Sequence, residues 1–293
     1  MMVHSARKRI PALCMALWMM LPHAVLSESA KEPDPEVSME ELAEDEDSPA
    51  MTKNSSTENV AWQFPVPLED LSPKLIVLAN KEHLLDENFV PGKMVTLKKR
   101  KADKNGNNTN GGVPMASGGT MKLEETCAQA LVEMIDAGIA QGQTLYLKSA
   151  YRSFRTQTTM YYNRLKRNNG KDDGWVAIPG SSDHQTGLGC DIVPRSWRNQ
   201  GMNAKMAVEQ ETQWLAAHCH EYGFILRYPK GKEDITFINF EPWHMRYVGI
   251  PAATYMMEKG ITLEEFHQEL RTAVEAYLAA GGDEARVKGL TSP

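Results

Sequence analysis

Two short stretches concentrate the residue types that can do chemistry. One reads Ser182-Asp183-His184-Gln185-Thr186-Gly187-Leu188-Gly189-Cys190-Asp191, the other Glu241-Pro242-Trp243-His244-Met245-Arg246-Tyr247. Between them they offer His184, Asp191 and His244 as nitrogen and oxygen ligands, with a further carboxylate, Glu241, just before the second histidine. A catalytic zinc ion asks for such a set, three protein ligands with one position left open for water. The glycines at 187 and 189 let the backbone turn tightly enough to bring His184 and Asp191 to one point. Glu241 is close to His244 in sequence, placed to take a proton from a metal-activated water without being a ligand itself. A plainer reading stays open at this point. A histidine on a β-rich run can be a satisfied structural residue, the two spacings are weak signals, and proline and aromatics around His244 could mark a turn beside a core.

For the two stretches to meet, the chain between and around them must form a compact scaffold. Order is expected from Trp62, with an apolar run at 75–78 and a loop through Pro91-Gly92. Residues 103–120, rich in glycine and asparagine, read as a surface loop. Leu123, Cys127, Ala130, Leu131, Met134, Ile135 and Ile139 recur at helical spacing, with Glu124 and Glu125 where a helix dipole favours acid. Residues 144–149 alternate like a strand, 155–166 read as a helix, and 204–222 as another that buries Val208, Leu215, Cys219 and Tyr222. Two β-rich runs, 224–228 and 235–240, flank a turn at Lys230-Gly231 and read as a hairpin. Thr262-Leu263-Glu264-Glu265 is a capping-box start for a last helix. The expected class is α+β, a small mainly antiparallel sheet with helices packed on it.

Composition narrows the partners. The chain has 293 residues and a net charge of −6. Its excess acid lies between Ser27 and Val60, which leaves the rest of the chain neutral, without the strong basic patch that nucleic-acid binding needs. Residues 1–30 carry Arg7-Lys8-Arg9, a short apolar run and then small residues, the pattern of a signal peptide or a retained N-terminal anchor. A membrane association is expected only through that segment. Residues 31–60 read as a disordered acidic spacer, 61–280 as the folded domain and 281–293 as a C-terminal tail. Cys127, Cys190 and Cys219 are too few and too widely spaced for a disulfide framework; they read as buried small hydrophobes with at most one pair.

From Leu75 to about Leu270 the chain resembles the VanY-type zinc D-alanyl-D-alanine carboxypeptidase family. The matching segments are Ser149-Ala150-Tyr151-Arg152-Ser153 with Gln157, and Ser182-x-His184-Gln185-Thr186-Gly187 with Asp191. They continue with Tyr222-Gly223-Phe224-Ile225-Leu226-Arg227-Tyr228-Pro229 and Glu241-Pro242-Trp243-His244-x-Arg246-Tyr247-Val248-Gly249. The resemblance implies the zinc D,D-peptidase (Hedgehog-like) fold, Zn2+ on His184, Asp191 and His244, and Glu241 as catalytic base. It further implies that Arg152 reaches into the site to hold a carbonyl oxygen or a terminal carboxylate, and that Ser149, Tyr151 and Gln157 contact substrate. Peptidoglycan stem peptides outside the cytoplasm are then the expected partners, and hydrolysis of the terminal D-Ala-D-Ala bond the expected reaction. An L,D-carboxypeptidase, a D,D-dipeptidase and a non-catalytic peptidoglycan-binding zinc domain remain as alternatives.

Overall fold

The structure, a computed structural model, describes residues 60–291; the expectations for 1–30 and for nearly all of 31–60 lie outside them. In chain order the elements are β1 (Met94–Thr96), β2 (Lys122–Glu124), α1 (Glu125–Ala140), β3 (Leu145–Ser149), α2 (Phe154–Arg167) and β4 (Gly189–Pro194). They continue with α3 (Gln210–His218), β5 (Phe224–Leu226), α4 (Glu233–Thr236), β6 (His244–Tyr247), α5 (Ile250–Lys259), α6 (Leu263–Ala279) and α7 (Glu284–Val287). The main sheet runs β3-β4-β6-β5 with every pair antiparallel, and β1-β2 is a separate antiparallel ribbon. The α+β expectation therefore holds.

Alternation along the strands assigns the two faces. Leu145, Leu147, Cys190, Ile192 and Met245 share one buried cluster with Leu131, Met134 and Ile135 of α1. A second cluster joins Phe64, Ile76 and Ile225 to Ala252, Met256, Phe266 and Leu270 of α5 and α6, and takes in Val287 and Leu290 at the end of the chain. Residues 281–291 thus pack back onto the domain. Among the described residues no helix is long and apolar enough to cross a membrane.

Several elements match their sequence signals. The Thr262 hydroxyl caps α6 by accepting from Glu265 N, while the Glu265 carboxylate accepts from Thr262 N, a complete capping box. Ser153 caps α2 in the same way through Thr156 N. All three cysteines among the described residues are free and buried, so the admitted pair does not form.

Three expectations are corrected. The 224–228/235–240 hairpin does not exist: β5 pairs with β6 instead, and 233–236 form the short helix α4. Its Thr236 hydroxyl bonds the carbonyls of Lys232 and Ile238, and the chain turns at Phe237 with φ 61°. A short apolar run has no period that separates strand from turn. The expected 204–222 helix is broken into a 3-10 turn (Ala204–Val208), α3 and a second 3-10 turn (Cys219–Tyr222), leaving Val208 77% exposed. Leu123, assigned to a helix by its spacing, belongs to β2, because Glu124 is the N-cap of α1 and its carboxylate accepts from Thr126 N and Cys127 N.

Candidate active site

Register across the sheet builds the centre of the site. Asp191 on β4 lies opposite His244 on β6 and, on its other side, opposite Ser149 on β3. Between Leu147 and Ser149 the β3–β4 register shifts. Without that bulge Ser149 would follow Leu147 onto the core face; the extra residue turns it towards the Asp191 face. Cys190, one residue from Asp191, points into the core as alternation requires.

His184 comes from the 3-10 turn Asp183–Thr186 that leads into β4. Gly187 leaves this turn at φ 73°, a left-handed conformation suited to glycine, and a Cβ there would strike the Met94 sulfur at 2.8 Å. Gly189 lies so close to the Asp183 backbone that a Cβ would approach it to 3.0 Å. These glycines fold the turn back onto the strand and bring His184 to Asp191.

The three candidate ligands offer donor atoms within 4.8 Å of one another, all buried. The Asp191 carboxylate faces both imidazoles, at 3.4 Å from His184 Nε2 and 2.9 Å from His244 Nδ1. His184 Nδ1 donates to the Ala150 carbonyl at 2.7 Å, which fixes the tautomer and leaves Nε2 bare towards Asp191. A ligating histidine is oriented by the same kind of bond from its other ring nitrogen. His244 Nε2 is buried without a partner. Burial and the Arg152 charge lower the His184 pKa against the pull of Asp191. Burial opposes ionisation of Asp191, but His184 and His244 together hold its pKa below the ordinary carboxylate range. A bare nitrogen facing a carboxylate oxygen is repulsive without a cation between them, so the donor set fits a metal ion.

Around this cluster is an open cleft. Glu241, half-buried, lines it, with its backbone N–H bonded to the Tyr228 carbonyl and its own carbonyl accepting from His244 N. Burial, then the Asp191 charge, push the Glu241 pKa well above the carboxylate range, against Arg152. Arg152 also lines the cleft. Its backbone N–H donates to the His184 carbonyl, so one turn between β3 and α2 positions both residues. Its guanidinium donates to Gln157 Oε1 at 2.7 Å and to Ser149 Oγ at 3.4 Å.

Ser149, Tyr151 and Gln157, expected as substrate contacts, are placed differently. None is on the cleft wall. Ser149 and the fully buried Gln157 hold Arg152 from behind, with the Gln157 amide also donating to Ala177 O, while Tyr151 is half-buried beside Lys122.

Sequence reasoning missed the layer beneath. Asp183 has a fully buried side chain that accepts from Arg227 Nε at 2.7 Å and from Arg246. Arg227 also forks onto Glu264 of α6 at 2.7 and 2.8 Å, and Arg246 donates to the Leu75 and Val77 carbonyls. Burial works against the Arg227 charge, yet Glu264 and Asp183 hold its pKa above normal. The Tyr228 ring lies 5.0 Å from that of His244, and Trp175 stacks on Trp243 at 6.3 Å along the cleft. Lys148 donates to the carbonyls of Trp197, Arg198 and Gln200, tying down the loop that brings Met202 and Asn203 to the wall. Arg227, Tyr228, Trp243 and Arg246 lie in the resembling segments, but their convergence on Asp183 was not legible, because these residues are scattered along the chain.

A family profile described as VanY, D-alanyl-D-alanine carboxypeptidase, matches residues 120–250, which include Arg152, His184, Asp191, Glu241 and His244. The chain is similar to YodJ of Bacillus subtilis (strain 168), 39% identical over 150 residues, 51% of this chain and 55% of that protein. It is also similar to the bifunctional D-Ala-D-Ala dipeptidase and D-Ala-D-Ala carboxypeptidase VanXYC of Enterococcus gallinarum, 35% identical over 133 residues, 45% of this chain and 70% of that one. The chain spans about half the length of the first curated relatives it matches. The solved LdcB LD-carboxypeptidase superposes with a TM-score of 0.58 at 34% identity, over 67% of this chain and 87% of that one.

Proposed function

Since the chain belongs to the VanY family of D-alanyl-D-alanine carboxypeptidases, we propose that it is a zinc peptidase that removes the terminal D-alanine of peptidoglycan stem peptides. The observation that carries this reading is the convergence of His184, Asp191 and His244 at the foot of a cleft that also holds Glu241 and Arg152. His184, Asp191 and His244 would hold the ion. Zinc supplies Lewis acidity there, bringing the pKa of a water towards about 7 and polarising a carbonyl.

The chain's own groups do the rest. Glu241 takes the proton of the attacking water on its carboxylate and passes it to the nitrogen of the departing D-alanine. Burial favours its protonated form, the form that returns the proton. Arg152, pinned by Gln157 and Ser149, presents its remaining N–H groups to the carbonyl oxygen that gains charge or to the terminal carboxylate. The Trp175–Trp243 stack forms an apolar side to the cleft. Stem peptides lie outside the cytoplasmic membrane, so this function goes with an exported protein.

The likeness to LdcB favours a second reading, an L,D-carboxypeptidase acting on stems that have already lost one D-alanine. Mass spectrometry of a pentapeptide and a tetrapeptide stem incubated with the purified chain separates the two. Trimming of the pentapeptide supports D,D-cleavage, and trimming of the tetrapeptide alone moves the specificity to L,D. Survival of both removes the peptidase reading.

A further inference from the structure

One face of α2 is not accounted for by the catalytic cluster. Gln157, Met160, Arg164 and Arg167 recur at helical spacing along α2 (Phe154–Arg167), and the last three line the cleft. From Gln157, which holds Arg152, to Arg167 the stripe runs ~15 Å at ~1.5 Å per residue. That is the reach of about four residues of extended peptide at ~3.4 Å each. Met160, Arg167 and Val176 also line an adjoining depression, together with Asn163 and Lys166, so the cleft continues as a groove along the helix.

The cleft's carboxylates, Asp191 and Glu241, are at the catalytic end together with Arg152, and the far end of the groove is cationic. At the far end Arg164 is engaged by Asp173 through Nε at 3.0 and 3.1 Å. Arg167 is exposed, and among the described residues no carboxylate comes within salt-bridge range of it. Lys166 adds a second exposed cation in the adjoining depression.

We propose that the α2 face carries the acyl portion of the substrate away from the catalytic cluster, and that Arg167 binds a free carboxylate on that portion. This rests on the peptidase reading and adds a specificity determinant to it. The substrate class is then a stem peptide with an unamidated branch carboxyl several residues before the scissile bond. A stem with a carboxamide there loses a charge-assisted hydrogen bond.

The test uses two synthetic pentapeptides, identical except that one upstream branch carboxyl is free in one and amidated in the other. Each is titrated into the full chain carrying Glu241→Gln, with binding followed by tryptophan fluorescence, because Trp175 and Trp243 line the cleft. Turnover of both by the unsubstituted chain is measured in parallel as released D-alanine. The free carboxylate should bind about fivefold tighter, in line with an ion pair near the surface. The preference should shrink at about 1 M salt, where the screening length is ~3 Å. It should vanish in Arg167→Gln and survive in part in Arg167→Lys. Equal affinity for the two peptides, a preference that outlives Arg167→Gln, or binding of neither peptide would overturn the proposal. Loss of turnover on both peptides with the binding preference intact would instead sink the peptidase reading and leave the subsite standing.

Discussion

Replacing Asp183 by asparagine should be strongly destabilising although it is nearly isosteric. The carboxylate sits with no exposure between two guanidinium groups that are equally buried. Asp183, Arg227 and Arg246 are buried, and with the partly buried Glu264 their charges cancel. Asparagine keeps one acceptor oxygen and turns an N–H donor towards the other arginine. Arg227 retains its fork to Glu264, so Arg246 bears the loss, with only the carbonyls of Leu75, Val77 and Tyr247 left to accept from it. Removing one partner from a buried ion pair costs about 3–5 kcal/mol. For a domain of this size each kcal/mol lowers Tm by about 2–4 °C, so a fall on the order of 10 °C is expected. Urea unfolding of the full chain followed by circular dichroism reads the loss directly, with chelator present in both samples so that metal binding does not contribute. A variant within about 1 kcal/mol of the parent would refute the idea that these charges compensate one another.

Four further outcomes are expected. Glu241→Gln should retain metal but lose about 10²–10⁴ in turnover, and near-normal turnover would remove Glu241 from the base role. In the parent, the acidic limb of kcat/KM should lie above the ordinary carboxylate value of about 4.3, because burial favours the protonated form of Glu241 and only the deprotonated form acts as base; a flat profile down to that pH contradicts this. Gln157→Leu should lower kcat/KM by about tenfold with metal content unchanged, as Arg152 loses a charge-assisted bond, and unchanged kcat/KM would remove Gln157 as a support of Arg152. Finally, His267 donates from Nε2 to the Ile76 carbonyl, and burial lowers its pKa to about 4. Folded His267 therefore stays neutral while the unfolded chain takes up its proton below about 6.5. The resulting stabilisation, on the order of 3 kcal/mol, is present above that pH and lost as pH falls towards 4. His267→Gln should flatten that part of the stability profile, and an unchanged profile would show that the loss comes from other groups.

What the sequence made legible was local or repeated in register. The capping box at Thr262, the alternation of β3 and the helical stripe of α1 each carry their signal within a few residues, and each formed as expected. The donor residues were legible because two histidines and two carboxylates are rare in such short stretches, and the glycines at 187 and 189 announced the turn that joins two of them. The β5–β6 pairing was not, because the run at 235–240 offers as good a local strand signal as 244–247, and only the fold decides which one fills the sheet. The buried charge network was equally hidden, since Leu75, Asp183, Arg227, Arg246 and Glu264 have no spacing in common. Gln157 and Ser149 were found as site residues, but whether a polar side chain touches substrate or supports an arginine depends on a direction that sequence does not encode.

The decisive measurement is a zinc titration of activity. The purified full chain is stripped with chelator, freed of it, and assayed for D-alanine release from a pentapeptide stem as zinc is returned. The cluster of His184, Asp191 and His244 predicts no release from the stripped protein, and a linear recovery that saturates at one zinc per chain. Full activity in the stripped protein, or none at any zinc level on either stem length, would contradict it.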